Sequence, residues 1–111
     1  MEKQVHKRQE HSEKENHLLK VVEAEYSLFK YKMLSRARSE IYDSCNLIHF
    51  YECLWEYFLY SEKIELEFVR KVKMRDNLLE ELYGYYVKTE YVSIETWAGI
   101  EELLRCYVAG V

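Results

Sequence analysis

The residues best suited to chemistry lie along one edge of a helix in the middle of the chain. Cys45, His49 and Cys53 follow one another at intervals of four, so they line up on a helix. A thiolate and an imidazole one turn apart can share a zinc ion, and Cys106 is a candidate fourth ligand. A single helix presents its ligands in a row and not at tetrahedral angles, however. We therefore predict small buried cysteines beside a solvent-edge histidine, with no metal and no cofactor.

A second candidate for chemistry is the carboxylate pair Glu52 and Glu56 on the same helix. Together with His49 they fall within about 60° of one another around the helix axis. Such a group forms a solvent-facing stripe more naturally than an acid–base pair. The sequence also has no GxSxG, HExxH or glycine-rich phosphate-binding motif. We therefore predict that the protein is not an enzyme.

The composition predicts an all-α fold to hold these residues. The 111 residues include no proline and three glycines, whereas sheet proteins use both at turns. We predict a compact bundle of about four helices with a long, polar N-terminal helix or tail. Residues 1–17 are expected to be a polar frayed or disordered extension, and residues 18–111 a single helical domain.

Apolar periodicity and capping residues set the predicted helix boundaries. The pattern predicts helices over about 13–35, 39–60, 65–88 and 94–108. It leaves open whether the first two helices are continuous. It also leaves open whether Asp76 or Asn77 caps a fresh helix that divides the third into two. Ser93 is the predicted cap of the last helix.

The helix over 39–60 is predicted to lie at the centre of the bundle. Its segment HFYECLWEYFLY, residues 49–60, has three frankly polar residues, His49, Glu52 and Glu56. Apolar side chains fill about 200° of the remaining circumference, more than the stripe of a surface helix. We therefore expect neighbours on two sides of this helix, or one neighbour and a second molecule.

Cysteine count and hydropathy favour a cytoplasmic protein that is not anchored in a membrane. Three cysteines are an odd number, and no secretory hydrophobic region opens the chain; both fit a reducing compartment. The apolar run 47–60 is shorter than the roughly 20 residues that a membrane-spanning helix needs.

Eleven tyrosines indicate a contact surface, because protein interfaces are enriched in tyrosine. In the segment LYGYYVKTEY, residues 82–91, three tyrosines spread around a helical turn, so they cannot all face one core. Gly84 between them allows another backbone to approach closely. The predicted partner-binding residues are Tyr83, Tyr85, Tyr86, Tyr91, Glu90 and Glu95. The alternative is that the rings pack at the boundary of the core.

Charge is divided unevenly along the chain. Residues 1–38 hold nine Lys/Arg and six Asp/Glu, a balance of +3, and residues 39–111 hold seven and fourteen, a balance of −7. The acidic part could imitate nucleic-acid phosphates through Glu80, Glu81, Glu90, Glu95, Glu101 and Glu102. The alternative is an ordinary solvated face.

Two basic clusters, residues 30–38 and 70–75, support a different function. Lysine and arginine contacts to phosphates provide much of the affinity for nucleic acids. The alternative prediction is therefore a small nucleic-acid-binding regulator. Its binding residues would be Lys30, Lys32, Arg36, Arg38, Arg70, Lys71, Lys73 and Arg75.

Two segments, residues 39–59 and 78–104, resemble small uncharacterised helical proteins carried by phages and mobile elements of gut Firmicutes. The matching features are Glu40-Ile41-Tyr42-Asp43 at the start of a helix and a tyrosine-rich helix leading into SIETW. Accessory genes of this kind include anti-CRISPR proteins, which are short helical inhibitors of CRISPR nucleases.

The resemblance implies a non-enzymatic inhibitor of a host defence protein. The specific expectation is an anti-CRISPR protein that blocks a type II CRISPR nuclease by competing with its guide RNA or DNA. The implied partner is the effector nuclease or its guide-RNA complex, in the bacterial host cytoplasm. A structural homodimer, in which the helix over 39–60 faces its twin, is a further alternative.

Overall fold

The computed structural model describes residues 13–89 and 92–110, and within these ranges the chain forms helices and no strands. The six helices are α1 (Glu13–Leu34), α2 (Arg38–Asp43), α3 (Cys45–Tyr60), α4 (Leu66–Lys71), α5 (Leu78–Tyr86) and α6 (Trp97–Ala109). The predicted all-α bundle is confirmed, with more and shorter helices than expected. None of these helices is long and apolar enough to cross a bilayer.

The predicted polar extension, residues 1–17, lies partly outside the described residues. Residues 1–12 lie outside them, whereas residues 13–17 form the first part of α1. Leu18 and Val22 follow on the same helix and are buried. Lys14 reaches across to α4, where its Nζ donates to the Arg70 carbonyl oxygen at 2.8 Å.

Helix α3 occupies the centre of the bundle, as its apolar circumference predicts. Its packing partners are α1, α2, α5 and α6. Its buried side chains are Phe50, Tyr51, Leu54, Tyr57 and Phe58. The three polar residues, His49, Glu52 and Glu56, are exposed. Burying this many large apolar groups supplies the main driving force for folding.

The predicted 39–60 helix is interrupted at Ser44. The Ser44 N–H bonds the Ile41 carbonyl at 3.0 Å, and its hydroxyl donates to the Glu40 carbonyl at 2.9 Å. These bonds close α2 before α3 begins at Cys45. No side chain of α2 is buried, so α2 contributes little to the core.

The predicted 65–88 helix is also two helices, α4 and α5, which is one of the alternatives that the sequence left open. Asn77 stands at the N-cap position of α5, but its side chain makes no cap hydrogen bond. A carboxylate from α1 accepts the hydrogen bonds at this position instead. Glu25 accepts from the Leu79 N–H at 2.6 Å and from the Glu80 N–H at 2.9 Å. The start of α5 is therefore stabilised by a residue more than 50 positions away.

Helix α6 begins three residues later than predicted, and its cap is Thr96 and not Ser93. The Thr96 hydroxyl accepts from the Gly99 N–H at 3.1 Å, whereas the Ser93 hydroxyl accepts from the Glu95 N–H. The turn between them allows Ile94 to enter the core. A Cβ on Gly99 would overlap the Ser93 carbonyl oxygen, so this turn requires glycine at position 99.

The buried hydroxyl of Tyr57 joins three parts of the fold. It accepts from the Glu65 N–H at 2.9 Å, ahead of α4, and donates to a Glu101 carboxylate oxygen of α6 at 3.3 Å. Burial raises the pKa of Tyr57 above its ordinary value. Arg105 of α6 adds an ion pair with Glu65 at 2.9 Å.

Candidate functional site

The cysteine and histidine edge of α3 comes together with Glu95, but not in a catalytic geometry. His49 Nε2 lies 3.0 Å from Glu95 Oε2. The Cys53 sulfur lies 3.6 Å from Nε2 and 3.9 Å from Nδ1 of the same ring. Because the two distances are nearly equal, the sulfur cannot lie along the lone-pair direction of either nitrogen, as a nucleophile–base pair requires.

The electrostatic environment of Cys53 also disfavours its thiolate. Burial raises the pKa of the thiol, and the negative charges of Glu95, Glu56 and Glu52 raise it further. A reactive cysteine needs the opposite shift. This thiol is therefore held in its protonated, weakly nucleophilic form.

The prediction of buried cysteines is wrong, because Cys53 is only half-buried and the other two lie elsewhere. Cys45 is exposed at the start of α3, and the Cys106 sulfur on α6 lies 3.5 Å from a Glu102 carboxylate oxygen. Within residues 13–89 and 92–110, no group of three or more His, Cys, Asp or Glu side chains is arranged to hold a metal ion.

The predicted tyrosine surface lies half-buried on α5. The rings of Tyr83 and Tyr86 pack on Phe50, with centroids 5.2 and 5.0 Å from its ring. The ring of Tyr85 meets Tyr107 edge to face at 5.8 Å. These contacts take up part of each ring. Binding of a partner by these three residues stays a prediction.

The remaining members of that predicted surface are placed differently. Glu90 and Tyr91 lie outside the described residues, and Glu95 is exposed beside His49. Gly84 has no atom within 4 Å of the position that a Cβ would occupy. Within the described chain, then, no other backbone uses the space that glycine leaves on α5.

Several carboxylates proposed as phosphate mimics already have donors within the molecule. Glu81 pairs with Arg75 at 2.7 Å and accepts from Tyr107. Glu102 pairs with Arg105 at 2.7 Å, and this hydrogen bond lowers the pKa of the Glu102 carboxyl. Glu95 lies beside His49, and Glu101 accepts a hydrogen bond from Tyr57. Four of the six proposed carboxylates therefore have a partner within the molecule.

The two basic clusters differ in their ion pairs. In the cluster over 70–75, Arg70 and Lys71 both pair with Glu67, at 3.3 and 3.5 Å. Arg75 pairs with Glu81. Three of its four cations are therefore ion-paired, and they share two carboxylates. Lys73 is the fourth, and it forms no ion pair with any described residue.

The cluster over 30–38 is not neutralised in this way. The Lys30 ammonium lies 4.7 Å from the centre of the Tyr26 ring, a cation–π contact that leaves its charge in place. Lys32, Arg36 and Arg38 form no ion pair with any described residue. Residues 26–39, YSLFKYKMLSRARS, contain no carboxylate at all.

Large apolar side chains are exposed beside these cations. The exposed fractions are 53% for Leu28, 72% for Tyr31, 84% for Leu34 and 78% for Tyr42. The first three recur every third residue of α1 and so share one side of the helix. We call residues 26–43, which include the second half of α1 and all of α2, the basic–apolar end.

Two grooves border the basic–apolar end, one on each side of α1. The larger, about 410 Å³, runs between α1, the start of α3 and the start of α5. Lys32 and Arg36 lie on its α1 side, and its other charged walls are the carboxylates Glu25, Asp76 and Glu80. The smaller, about 190 Å³, lies between α1 and α3 and has mainly apolar walls, with Lys30 and Glu52 as its charged residues.

The comparisons with known proteins add no assignment: no family model, no curated protein and no solved structure matches this chain. The function must therefore be inferred from the surface properties of the molecule. Sequence reasoning identified the cations at 30–38 but overlooked the exposed apolar residues among them. The absence of carboxylates from 26 to 39 was the readable signal for this surface.

Proposed function

We propose that this protein is a non-enzymatic binding protein that attaches to another protein through its basic–apolar end. The observation that carries this proposal is the exposure of Leu28, Tyr31 and Leu34 on α1 and of Tyr42 on the helix that follows it in the chain. No side chain of residues 23–49 is buried. Clusters of exposed apolar side chains characterise interaction sites, because water solvates them poorly.

The specific role we propose is inhibition of a type II CRISPR nuclease, in the cytoplasm of a bacterial host. Its support is the resemblance of residues 39–59 and 78–104 to accessory proteins of phages and mobile elements. Because four of the six proposed phosphate-mimicking carboxylates have donors inside the molecule, an acidic surface is the weaker route to inhibition. The basic–apolar end is therefore the main contact surface in this proposal.

A DNA-cleavage assay with a purified type II nuclease and its guide RNA tests this role. We expect the protein to inhibit cleavage when added in excess, and a Tyr31→Ala/Leu34→Ala variant to inhibit at least tenfold less effectively. The matched control is Leu66→Ala/Val87→Ala, which removes two apolar residues that are also exposed but lie on α4 and just after α5.

Two results would count against the proposal in different ways. Undiminished cleavage, whether the protein is added before or after the guide RNA, would contradict the anti-CRISPR role. Equal loss of inhibition in the test and control variants, with helicity unchanged, would contradict the choice of surface.

A nucleic-acid-binding regulator is the second candidate, because Lys32, Arg36 and Arg38 lack carboxylate partners among the described residues. A gel shift with RNA and DNA at two salt concentrations discriminates. Salt-sensitive binding that is lost in Lys32→Ala/Arg36→Ala and kept in Arg70→Ala/Lys71→Ala would support it. Absence of binding at low salt would eliminate it.

A further inference from the structure

We infer that the partner segment recognised by the basic–apolar end is an acidic peptide that carries apolar side chains. This inference deepens the proposed function and rests on its choice of surface, but not on the identity of the partner as a nuclease. It follows from three properties of the same 14 residues, 26–39: their charge, their exposed apolar groups and the grooves beside them.

The charge of this segment calls for a negative partner. Lys30, Lys32, Arg36 and Arg38 are interspersed over nine residues with no carboxylate between them. The carboxylates that flank this segment in the chain already accept backbone N–H groups: Glu25 accepts two at the start of α5, and Glu40 accepts one from Ala37. Two such carboxylates do not fully compensate four cations, so a partner that brings carboxylates gains attraction and orientation.

The apolar groups determine what kind of negative partner fits. Tyr31 and Tyr42 present flat rings that suit a peptide or a nucleic-acid base. Leu28 and Leu34 are aliphatic and offer no such face for a base, so they favour a peptide. The grooves on the two sides of α1 have walls that include Phe29 and Met33 in both cases. Such grooves accept aliphatic or aromatic side chains. A peptide with apolar anchors and flanking carboxylates therefore matches this surface better than RNA or DNA.

A second copy of the chain matches it less well. In a two-fold symmetric dimer the same patch lies on both sides of the interface. Four cations of one copy would then face four cations of the other. Like charges placed opposite each other oppose association, so the charge that attracts an acidic peptide works against self-association through this end.

A selection from a displayed library of random 12-residue peptides tests the inference on the full-length protein. We expect the enriched peptides to contain an excess of Asp and Glu interspersed with Leu, Ile, Phe or Trp. One enriched peptide, labelled with a fluorophore, is then used to measure affinity by fluorescence anisotropy. We expect Lys32→Glu/Arg36→Glu to weaken its binding at least tenfold.

The matched control changes the charge by the same amount in the other basic cluster. Arg70→Glu/Lys71→Glu alters cations that are already paired with Glu67, and we expect it to weaken binding less than threefold. Leu34→Ser, compared with Leu66→Ser, tests the apolar contribution in the same way. Circular dichroism confirms that each variant is folded.

Several outcomes would overturn the inference. These are the absence of enriched peptides, enrichment without an acidic excess, and equal loss of affinity in both charge-reversal variants. Tighter binding of a uridine oligonucleotide than of the selected peptide would overturn it in favour of nucleic acid. A dimer in sedimentation analysis that Leu34→Ser dissociates would overturn it in favour of self-association.

The outcome of this selection is independent of the nuclease assay. Acidic peptides that bind while the nuclease remains uninhibited would contradict the anti-CRISPR role and leave the inference in place. Inhibition of the nuclease with no selection of acidic peptides would do the reverse.

Discussion

The surroundings of Tyr57 and the basic–apolar end show two opposite uses of aromatic and apolar residues. The ring of Tyr57 and that of its neighbour Phe58 are buried, and the Tyr57 hydroxyl has both a donor and an acceptor partner. At the basic–apolar end, Tyr31 and Tyr42 are exposed and no side chain is buried. The first region stabilises the fold, whereas the second leaves apolar surface in contact with water.

Helix α1 contains this contrast within a single element. Its first half buries Leu18 and Val22. Its second half lies on α3 through two stacked ring pairs, Tyr26 with Trp55 and Phe29 with Tyr51, whose centroids are 5.7 and 4.0 Å apart. Leu28, Tyr31 and Leu34 of this half are exposed. A helix can thus be fixed to a core at one end and present exposed apolar side chains at the other.

The largest expected effect compares a core ring with an exposed one. Phe58→Ala should reduce the free energy of unfolding by about 3–5 kcal/mol, because it removes a fully buried ring and leaves a cavity. Tyr31→Ala should change it by no more than about 0.5 kcal/mol. Urea denaturation measures both. A loss for Tyr31→Ala comparable to that for Phe58→Ala would remove the contrast between the two regions.

A second comparison uses two helical glycines. Gly99→Ala should destabilise the protein by about 1–3 kcal/mol, because the new Cβ overlaps the Ser93 carbonyl oxygen and the turn must shift. Gly84→Ala should stabilise it by about 0.5–1 kcal/mol, since the space there is open and alanine favours a helix. Thermal unfolding of the two variants should move in opposite directions, and shifts of the same sign would contradict the packing described for α6.

The effect expected at Glu25 is smaller. Glu25→Gln keeps the shape of the side chain but replaces one acceptor oxygen at the start of α5 with an N–H donor, and should cost about 1 kcal/mol. Glu23→Gln, on the exposed side of the same helix, is the control and should be nearly neutral. Equal effects of the two changes would show that Glu25 does not cap α5.

The cost of Glu25→Gln should also depend on pH. Burial raises the pKa of Glu25, so the folded state holds the proton more tightly than the unfolded chain. The stability contributed by this proton is present below the unfolded pKa and decreases as pH rises through the folded pKa. The stability difference between the wild-type protein and Glu25→Gln should therefore grow as the pH falls from about 7 to about 4. A difference that shrinks over this range would contradict the assignment.

The sequence predicts the central helix well and the helix breaks poorly. Apolar side chains cover most of the circumference of the helix over residues 47–60, so α3 could not lie on the surface of the bundle. No Gly or Pro near Ser44 indicates the break in the helix there. The start of α5 depends on Glu25, and the start of α6 depends on the close approach of Gly99 to Ser93. Contacts between residues far apart in the sequence determine where these two helices begin, so local sequence patterns cannot predict these boundaries.

The candidate site was predictable in its charges but not in their pairing. The spacing of Glu67 and Arg70 suits a pair on one helix, yet the Arg75–Glu81 pair depends on the turn between α4 and α5. These pairs bring two carboxylates to the basic cluster over 70–75 and none to the cluster over 30–38. Likewise, Tyr83, Tyr85 and Tyr86 could not be recognised as half-buried until Phe50 and Tyr107 were placed against them.

Native-state hydrogen exchange tests the central contrast most directly, because it reports the stability of each segment in the intact protein. We predict that the amides of residues 50–58 exchange at least about 100-fold more slowly than those of residues 28–34. The central helix should open only with global unfolding, and the second half of α1 should open on its own. Equal protection of the two segments would contradict the account, because the basic–apolar end would then be as firmly packed as the core.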